Sequence, residues 1–183
     1  VDVSAAVMGA SKVGKKLTMR GKVEVRRFKE DDTSSLVPFL RSTFDALGHD
    51  FLPASKDSDI GEIATTYGGN DGAFFVAGTD AGICGCVGLR RFSEGIAEMK
   101  RLYVSDGFRG GGLGRALCSK AIGEARRLGF QTLRLDTTRR SVSALALFRD
   151  LGFYEIARYN DDPFAEVFME YRGISKQVEG SQD

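Results

Sequence analysis

The clearest chemical signal in the sequence is the run Arg109-Gly110-Gly111-Gly112-Leu113-Gly114-Arg115. Without Cβ atoms, glycines let a backbone turn sharply and let a ligand approach its amides. Where a helix starts at such a turn, its first N–H groups have no partner inside the helix. Together with the helix dipole they favour an anion. Arg109 and Arg115 add full positive charges, so the expected occupant is a phosphate or pyrophosphate. An ordinary strand-to-helix turn is the plain alternative, but it needs one glycine rather than four flanked by two arginines.

Spacing separates the phosphate-binding patterns. A Walker loop requires a lysine followed by Ser or Thr, which this run lacks. A near match at residues 9–16 puts Lys16 where the hydroxyl must be. For a dinucleotide fingerprint, Gly110 and Gly112 supply the first half and Asp136 stands near the ribose-binding position, but the third glycine is missing. The spacing left is Arg109-x-x-Gly112-x-Gly114.

The flanking elements must position this turn. Residues 98–104, Glu-Met-Lys-Arg-Leu-Tyr-Val, read as a strand within a central segment 96–105, stopped by Ser105-Asp106-Gly107. After the glycines, Leu113, Ala116, Leu117, Ala121, Ile122, Ala125 and Leu128 recur at helical spacing, closed by Gly129. A strand follows at 132–137. Ser141 caps a helix to Leu151 with Ala144, Leu145, Leu147 and Phe148 apolar, and a strand runs from 153 to 158.

Upstream, residues 23–28 alternate as a first strand. Asp32 or Thr33 can cap a helix to Leu47 whose buried stripe is Leu36, Phe39, Leu40, Phe44 and Leu47. A further helix is expected near 60–66, then a hairpin of 73–77 and 83–91 around Asp80-Ala81-Gly82. A turn at 160–163 leads to a closing strand, 167–171. Strands joined through long helices should be parallel and hairpins antiparallel, giving an α/β fold with a mixed sheet and helices on both faces.

Taken together, these motifs resemble the GNAT superfamily of N-acetyltransferases, whose R/Q-x-x-G-x-G/A turn holds the pyrophosphate of acetyl-coenzyme A. In that superfamily the turn follows a strand ending L-x-V, here Leu102-Tyr103-Val104. It precedes a helix, a strand and a helix ending in L-G-F, here Leu151-Gly152-Phe153. The likeness covers about residues 23–171. Residues 98–104 and 133–137, with Tyr159-Asn160 and Pro163, look like a subgroup of small, mostly uncharacterised acetyltransferases, which fixes no substrate.

The resemblance implies a single-domain GNAT-like fold over 21–172, with a mixed, mostly antiparallel sheet and a parallel central pair. It implies acetyl-coenzyme A as co-substrate and an amine acceptor, on a small molecule or a peptide. Backbone groups of Leu102, Tyr103 and Val104 would run beside the pantetheine arm, an N–H near Leu102 polarising the thioester carbonyl. Arg109, Gly110, Gly111, Gly112, Leu113, Gly114 and Arg115 would hold the pyrophosphate. Ser141, Ala144 and Phe148 would line the coenzyme from the last helix. Glu98 becomes the candidate general base, against the alternative of a carboxylate solvated or ion-paired near Lys100 or Arg101. The helices over 33–47 and 60–66 would cover one side of the acceptor cleft. Tyr159, Asp161 and Asp162 would border it, or simply form an exposed turn.

Two positions depart from the family pattern. Ser141 replaces an asparagine, and Phe148 stands where a tyrosine often donates a proton to the departing thiolate. Tyr103 or water could serve instead, or the thiolate could leave unassisted. A non-catalytic acyl-coenzyme A sensor is the alternative these departures raise, and a nucleotide-binding module a third.

Composition bounds the rest. The 183 residues, 42% hydrophobic and 28% charged, suit one domain. With 26 basic against 25 acidic residues the net charge of +1 gives no general attraction to nucleic acid or membrane. Three cysteines set no disulfide framework; Cys84 and Cys86 are expected on one strand face, and Cys118 in the core. With a single histidine, no metal site is expected. Residues 1–20 read as a flexible extension, a processed targeting remnant or an expression scar, and 173–183 as a polar tail. A cytoplasmic location is expected, and a homodimer is left open.

Overall fold

In the computed structural model, which describes residues 22–174 except 49, 53, 54 and 56, seven strands form one sheet in the order β1-β2-β3-β4-β5-β7-β6. The expected extension over 1–20 and the tail beyond 174 lie outside the described residues. The strands are β1 (Glu24–Arg27), β2 (Ala73–Thr79), β3 (Gly82–Ser93), β4 (Ile96–Val104), β5 (Thr132–Thr137), β6 (Tyr154–Ile156) and β7 (Val167–Arg172). Every neighbouring pair is antiparallel except β4 and β5, which run parallel because a helix connects them. The helices are α1 (Thr33–Leu47), α2 (Ser58–Gly61), α3 (Ile63–Thr66), α4 (Leu113–Arg127) and α5 (Val142–Asp150).

Period-two alternation sorts the side chains onto two faces. Ala97, Met99, Leu133, Leu135 and Met169 face α4 and α5, where Leu117, Cys118, Ala121 and Ala125 of α4 are fully buried. Truncating a residue such as Leu117 to alanine there costs about 2–5 kcal/mol. On the other face, α1 and α3 bury Leu36, Leu40, Phe44, Ile63 and Tyr67 over Val76 and Cys86. This second core covers only half the sheet. Beyond it the same face carries Glu98, Lys100, Arg134, Asp136 and Glu170, overlaid by the segment between β6 and β7.

Several local expectations are corrected. Leu47, expected in the buried stripe of α1, is 43% exposed because it ends the helix; Thr43 is buried instead, its hydroxyl donating to the Phe39 carbonyl. Asp32 precedes α1 without capping it, since its carboxylate takes two hydrogen bonds from Arg26 and one from the Lys29 amide. Ser141 occupies the N-terminal position of α5, but its hydroxyl meets Thr138 rather than a helix amide. The helix expected near 60–66 is two short helices broken at Glu62. Cys84 and Cys86 lie in opposite cores. Ala77 pairs with Gly85 and Gly78 with Ile83, so Cys84 is a bulged extra residue and the alternation shifts there. Ile174, read as tail, is buried in the α4 core.

Candidate active site

Parallel pairing between β4 and β5 ends at Glu98–Arg134, although β4 continues to Val104 and β5 to Thr137. The two strands therefore part and leave a gap with unpaired edges. A bulge in β4 accounts for the bend: Gly88 pairs with Lys100 but Cys86 with Tyr103, leaving one extra residue on β4. Arg101 lies in it with φ 59°, a left-handed conformation that costs an L-residue ~1–2 kcal/mol.

The bulge aims a particular amide. The Cys86 thiol, kept protonated because burial pushes its pKa well up, donates to the Arg101 carbonyl at 3.2 Å, so that carbonyl points at β3. The described peptides are all trans, and a trans peptide places N–H opposite C=O; the Leu102 N–H thus points into the gap. Strand alternation agrees. Ser105 N–H bonds the Cys84 carbonyl on β3, which turns the backbone groups of Val104 and Leu102 the other way. The Val104 carbonyl there accepts Arg109 Nε at 3.1 Å.

The glycine loop lies where the gap ends. Gly110 and Gly112 have φ of 74° and 84°, and Gly112 is the residue from which α4 starts. The Ala116 N–H makes a helix bond back to the Gly112 carbonyl at 3.0 Å, so the amides of Leu113, Gly114 and Arg115 precede the intrahelical ladder. Gly114 abuts Leu147 of α5 and Val104. Gly111, Gly112 and Leu113 face Val23, Val25 and Phe108 across a cleft of about 220 Å³. Both arginines carry acidic partners: Arg109 pairs with Asp106 at 2.8 Å, and Arg115 with Asp150 of α5. A second cleft, about 320 Å³, lies between Phe39 and Thr43 of α1 and Val104, Asp106 and Arg109.

The other residues singled out from the sequence divide between the two faces. Leu102, Val104, Leu113, Ala144 and Phe148 are on the α4 side, with Phe148 4% exposed and 5.7 Å from the Phe153 ring. Tyr103 is on the α1 side, 5.2 Å from the Phe44 ring, and burial pushes its phenol up to about 12.

Glu98 is 1% exposed and fully engaged. Arg90 of β3 donates Nε and Nη2 to its Oε2 at 2.9 and 2.7 Å, and Tyr159 and Asn160 donate to its Oε1 at 2.9 and 3.2 Å. The carboxylate is thus ion-paired, with Arg90 rather than with Lys100 or Arg101. Burial, with Glu98 and Asp136 alongside, drives the Tyr159 pKa far upward, so the phenol stays neutral. Asn160 also donates to Asp136 at 2.6 Å; Asp136 binds Lys100 at 3.0 Å, and Lys100 approaches Asp162 at 3.7 Å. Arg90 could have been found by counting hairpin register: the turn after Ser93 sets residue 90 opposite 98. Nothing local marks Asp136 and Asn160 as neighbours of Glu98.

Among the described residues no group of three or more His, Cys, Asp or Glu side chains could hold a metal ion, and no helix is long and apolar enough to cross a membrane.

The acetyltransferase (GNAT) family model matches residues 40–153. An uncharacterised N-acetyltransferase of Schizosaccharomyces pombe is 32% identical over 148 residues, covering 80% of this chain and 89% of its own length. A GNAT-family acetyltransferase structure from Staphylococcus aureus superposes with a TM-score of 0.75 at 20% identity, over 82% of this chain and 98% of that one. A phosphinothricin acetyltransferase from Sinorhizobium meliloti, solved in complex with acetyl-coenzyme A, has a TM-score of 0.64 at 22% identity, over 82% and 88%.

Proposed function

The chain belongs to the GNAT acetyltransferase family, and from that premise we propose that it transfers an acetyl group from acetyl-coenzyme A to an amine by direct attack. The observation that carries this reading is the parted β4 edge. It offers the Leu102 and Val104 backbone to an extended ligand and runs straight into the glycine turn at the start of α4. An extended pantetheine arm pairs with such an edge as an added strand would. Amides 113–115 and the α4 dipole then receive the pyrophosphate. To admit the arm, Arg109 must release the Val104 carbonyl, and to reach the diphosphate its guanidinium must also exchange Asp106 for the phosphate oxygens.

Acetyl-coenzyme A supplies a thioester whose sulfur leaves readily, since a thiol pKa lies near 8.5. The Leu102 N–H donates to the carbonyl oxygen as negative charge grows on it. Glu98 accepts the proton of the attacking amine, through water or through the Tyr159 hydroxyl, which already donates to it. Arg90 orients the carboxylate through two hydrogen bonds to Oε2, leaving Oε1 toward Tyr159 and Asn160. Burial pushes the Tyr103 phenol up to about 12, so giving its proton to a thiolate near 8.5 is uphill; the thiolate leaves as the anion without a donor, and the one proton the amine loses goes to Glu98.

A second reading, a non-catalytic acyl-coenzyme A sensor, is favoured by Phe148, which has no proton to give, and by the closed ion pair on Glu98. Thiol release decides between them. Screening small amines, amino acids, antibiotics and peptides with acetyl-coenzyme A should give turnover with at least one class. Tight coenzyme binding with no thiol released above the hydrolytic background on every class would favour the sensor.

A further inference from the structure

The bulge residue of β4 turns its side chain away from the gap and onto the segment that opens α2. Arg101 is the only non-glycine residue with positive φ among the described residues, and its side chain is 12% exposed. Its Nε and Nη2 donate to the two oxygens of Asp59 at 2.9 and 2.5 Å, and its Nη1 to Asp57 Oδ1 at 2.7 Å. Both acids are anchored in turn. Asp59 accepts the hydroxyl of buried Tyr67, and Asp57 accepts the Leu52 amide at 2.9 Å. Burial alone would raise the Asp59 pKa, yet the Arg101 guanidinium holds it below the ordinary carboxylate value. The Arg101 carbonyl is meanwhile tied to β3 by the Cys86 thiol.

The peptide between Arg101 and Leu102 is therefore gripped from both sides. One grip comes from β3. The other comes from Asp57 and Asp59, more than forty positions earlier in the chain, where α2 begins. A bidentate guanidinium–carboxylate fork fixes direction as well as distance, which a single charge cannot do. A left-handed conformation at a long L-residue persists only where its surroundings over-determine it.

We propose that Arg101, clamped by Asp59 and Asp57, is the positioning residue that holds the Leu102 N–H on the thioester oxygen, so that the α2 segment sets the aim of the polarising donor. The inference rests on the acetyl-coenzyme A reading above. Acceptor contacts that shift α2 are thereby transmitted to the carbonyl without any residue of α2 touching it.

The test compares Arg101→Ala, Arg101→Gly and Asp59→Asn in the full chain. Alanine and glycine remove the same guanidinium contacts, but only glycine adopts the left-handed conformation freely. Two readouts are taken: turnover with the best amine, and the infrared stretch of acetyl-coenzyme A labelled with ¹³C at the thioester carbonyl. The wild type should lower the bound carbonyl frequency relative to free coenzyme. Arg101→Ala should lose most of that shift and about 10–100-fold in kcat, with coenzyme KM within threefold, in line with a misaimed oxyanion donor. Arg101→Gly should recover at least fivefold of the lost kcat and part of the shift. Asp59→Asn, which keeps the arginine and weakens the fork, should lie between. Equal impairment of the alanine and glycine variants, or a full carbonyl shift in Arg101→Ala, overturns the proposal. The infrared readout needs no acceptor. A wild type that shifts the carbonyl but acetylates nothing would refute transfer while leaving the clamp standing, and a wild type with no shift would refute the clamp.

Discussion

Replacing Gly112 with aspartate separates the shape of the loop from the anion site proposed for it. Gly112 has φ 84°, and a Cβ built on it meets nothing within 4 Å, so the cost to the free protein is backbone strain and not collision. That strain is ~1 kcal/mol for aspartate, which tolerates the left-handed region better than most residues. Against it, a carboxylate at the start of α4 gains ~0.3–1 kcal/mol from the helix dipole and can accept an end amide. The two nearly cancel. With ~2–4 °C per kcal/mol for a domain of this size, Tm should move by no more than about 4 °C.

Binding should behave otherwise. A carboxylate ~6 Å from a diphosphate, at an effective dielectric constant of ~20 and partly screened by salt, repels it by about 1.4–3 kcal/mol, or tenfold to a hundredfold in Kd. Titration calorimetry with coenzyme A at low and high salt reads this directly, and the loss should shrink as salt rises. Gly112→Ala is the control, since it carries the strain without the charge; its Kd should stay within about threefold. Coenzyme binding by Gly112→Asp within threefold of the wild type would refute the anion site. An equal loss in Gly112→Ala would show that shape, not charge, was responsible.

Three other perturbations probe the remaining parts. Glu98→Gln should lower kcat by about 10²–10⁴-fold while leaving the coenzyme Kd unchanged, as expected when a general base is lost; unchanged turnover removes Glu98 from the chemistry. Phe148→Tyr places a hydroxyl at a 4% exposed position against Phe153, which should cost about 1–3 kcal/mol of stability in urea unfolding. Its turnover should equal the wild type's, and a gain would show that protonation of the thiolate had been limiting. Glu170 is buried, which alone would raise its pKa, but hydrogen bonds from Tyr154, Arg134 and Arg172 bring it down to about 2. A carboxyl depressed in the folded state stabilises above its unfolded value, near 4.5, and loses that contribution as pH falls toward 2. Stability measured from pH 5 to pH 2 should therefore fall more steeply in the wild type than in Glu170→Gln, and parallel curves would contradict the assignment.

The parts legible in the sequence were those whose signal is local. The helix stripe from Leu113 to Ala125, the glycines before it and the alternation of Leu133 and Leu135 with Arg134 and Asp136 each lie within one element, where periodicity and turn chemistry act. Bulges defeat this kind of reading. Cys84 and Cys86, two apart, were expected on one face, and a single inserted residue sends them into opposite cores. The bulge in β4 was harder still, because its left-handed residue is Arg101 and not a glycine, so no turn signal marks it. Its supports are Asp57, Asp59 and Cys86, which come from other elements and carry no pattern of their own. The same holds for Glu98, whose partners Arg90, Tyr159 and Asn160 arrive from β3 and from the segment after β6. What aims the groups of this site is long-range pairing across the sheet. A substitution in α2, far from the glycine turn in sequence, should consequently disturb the polarisation of the thioester more than most changes within α4's exposed face.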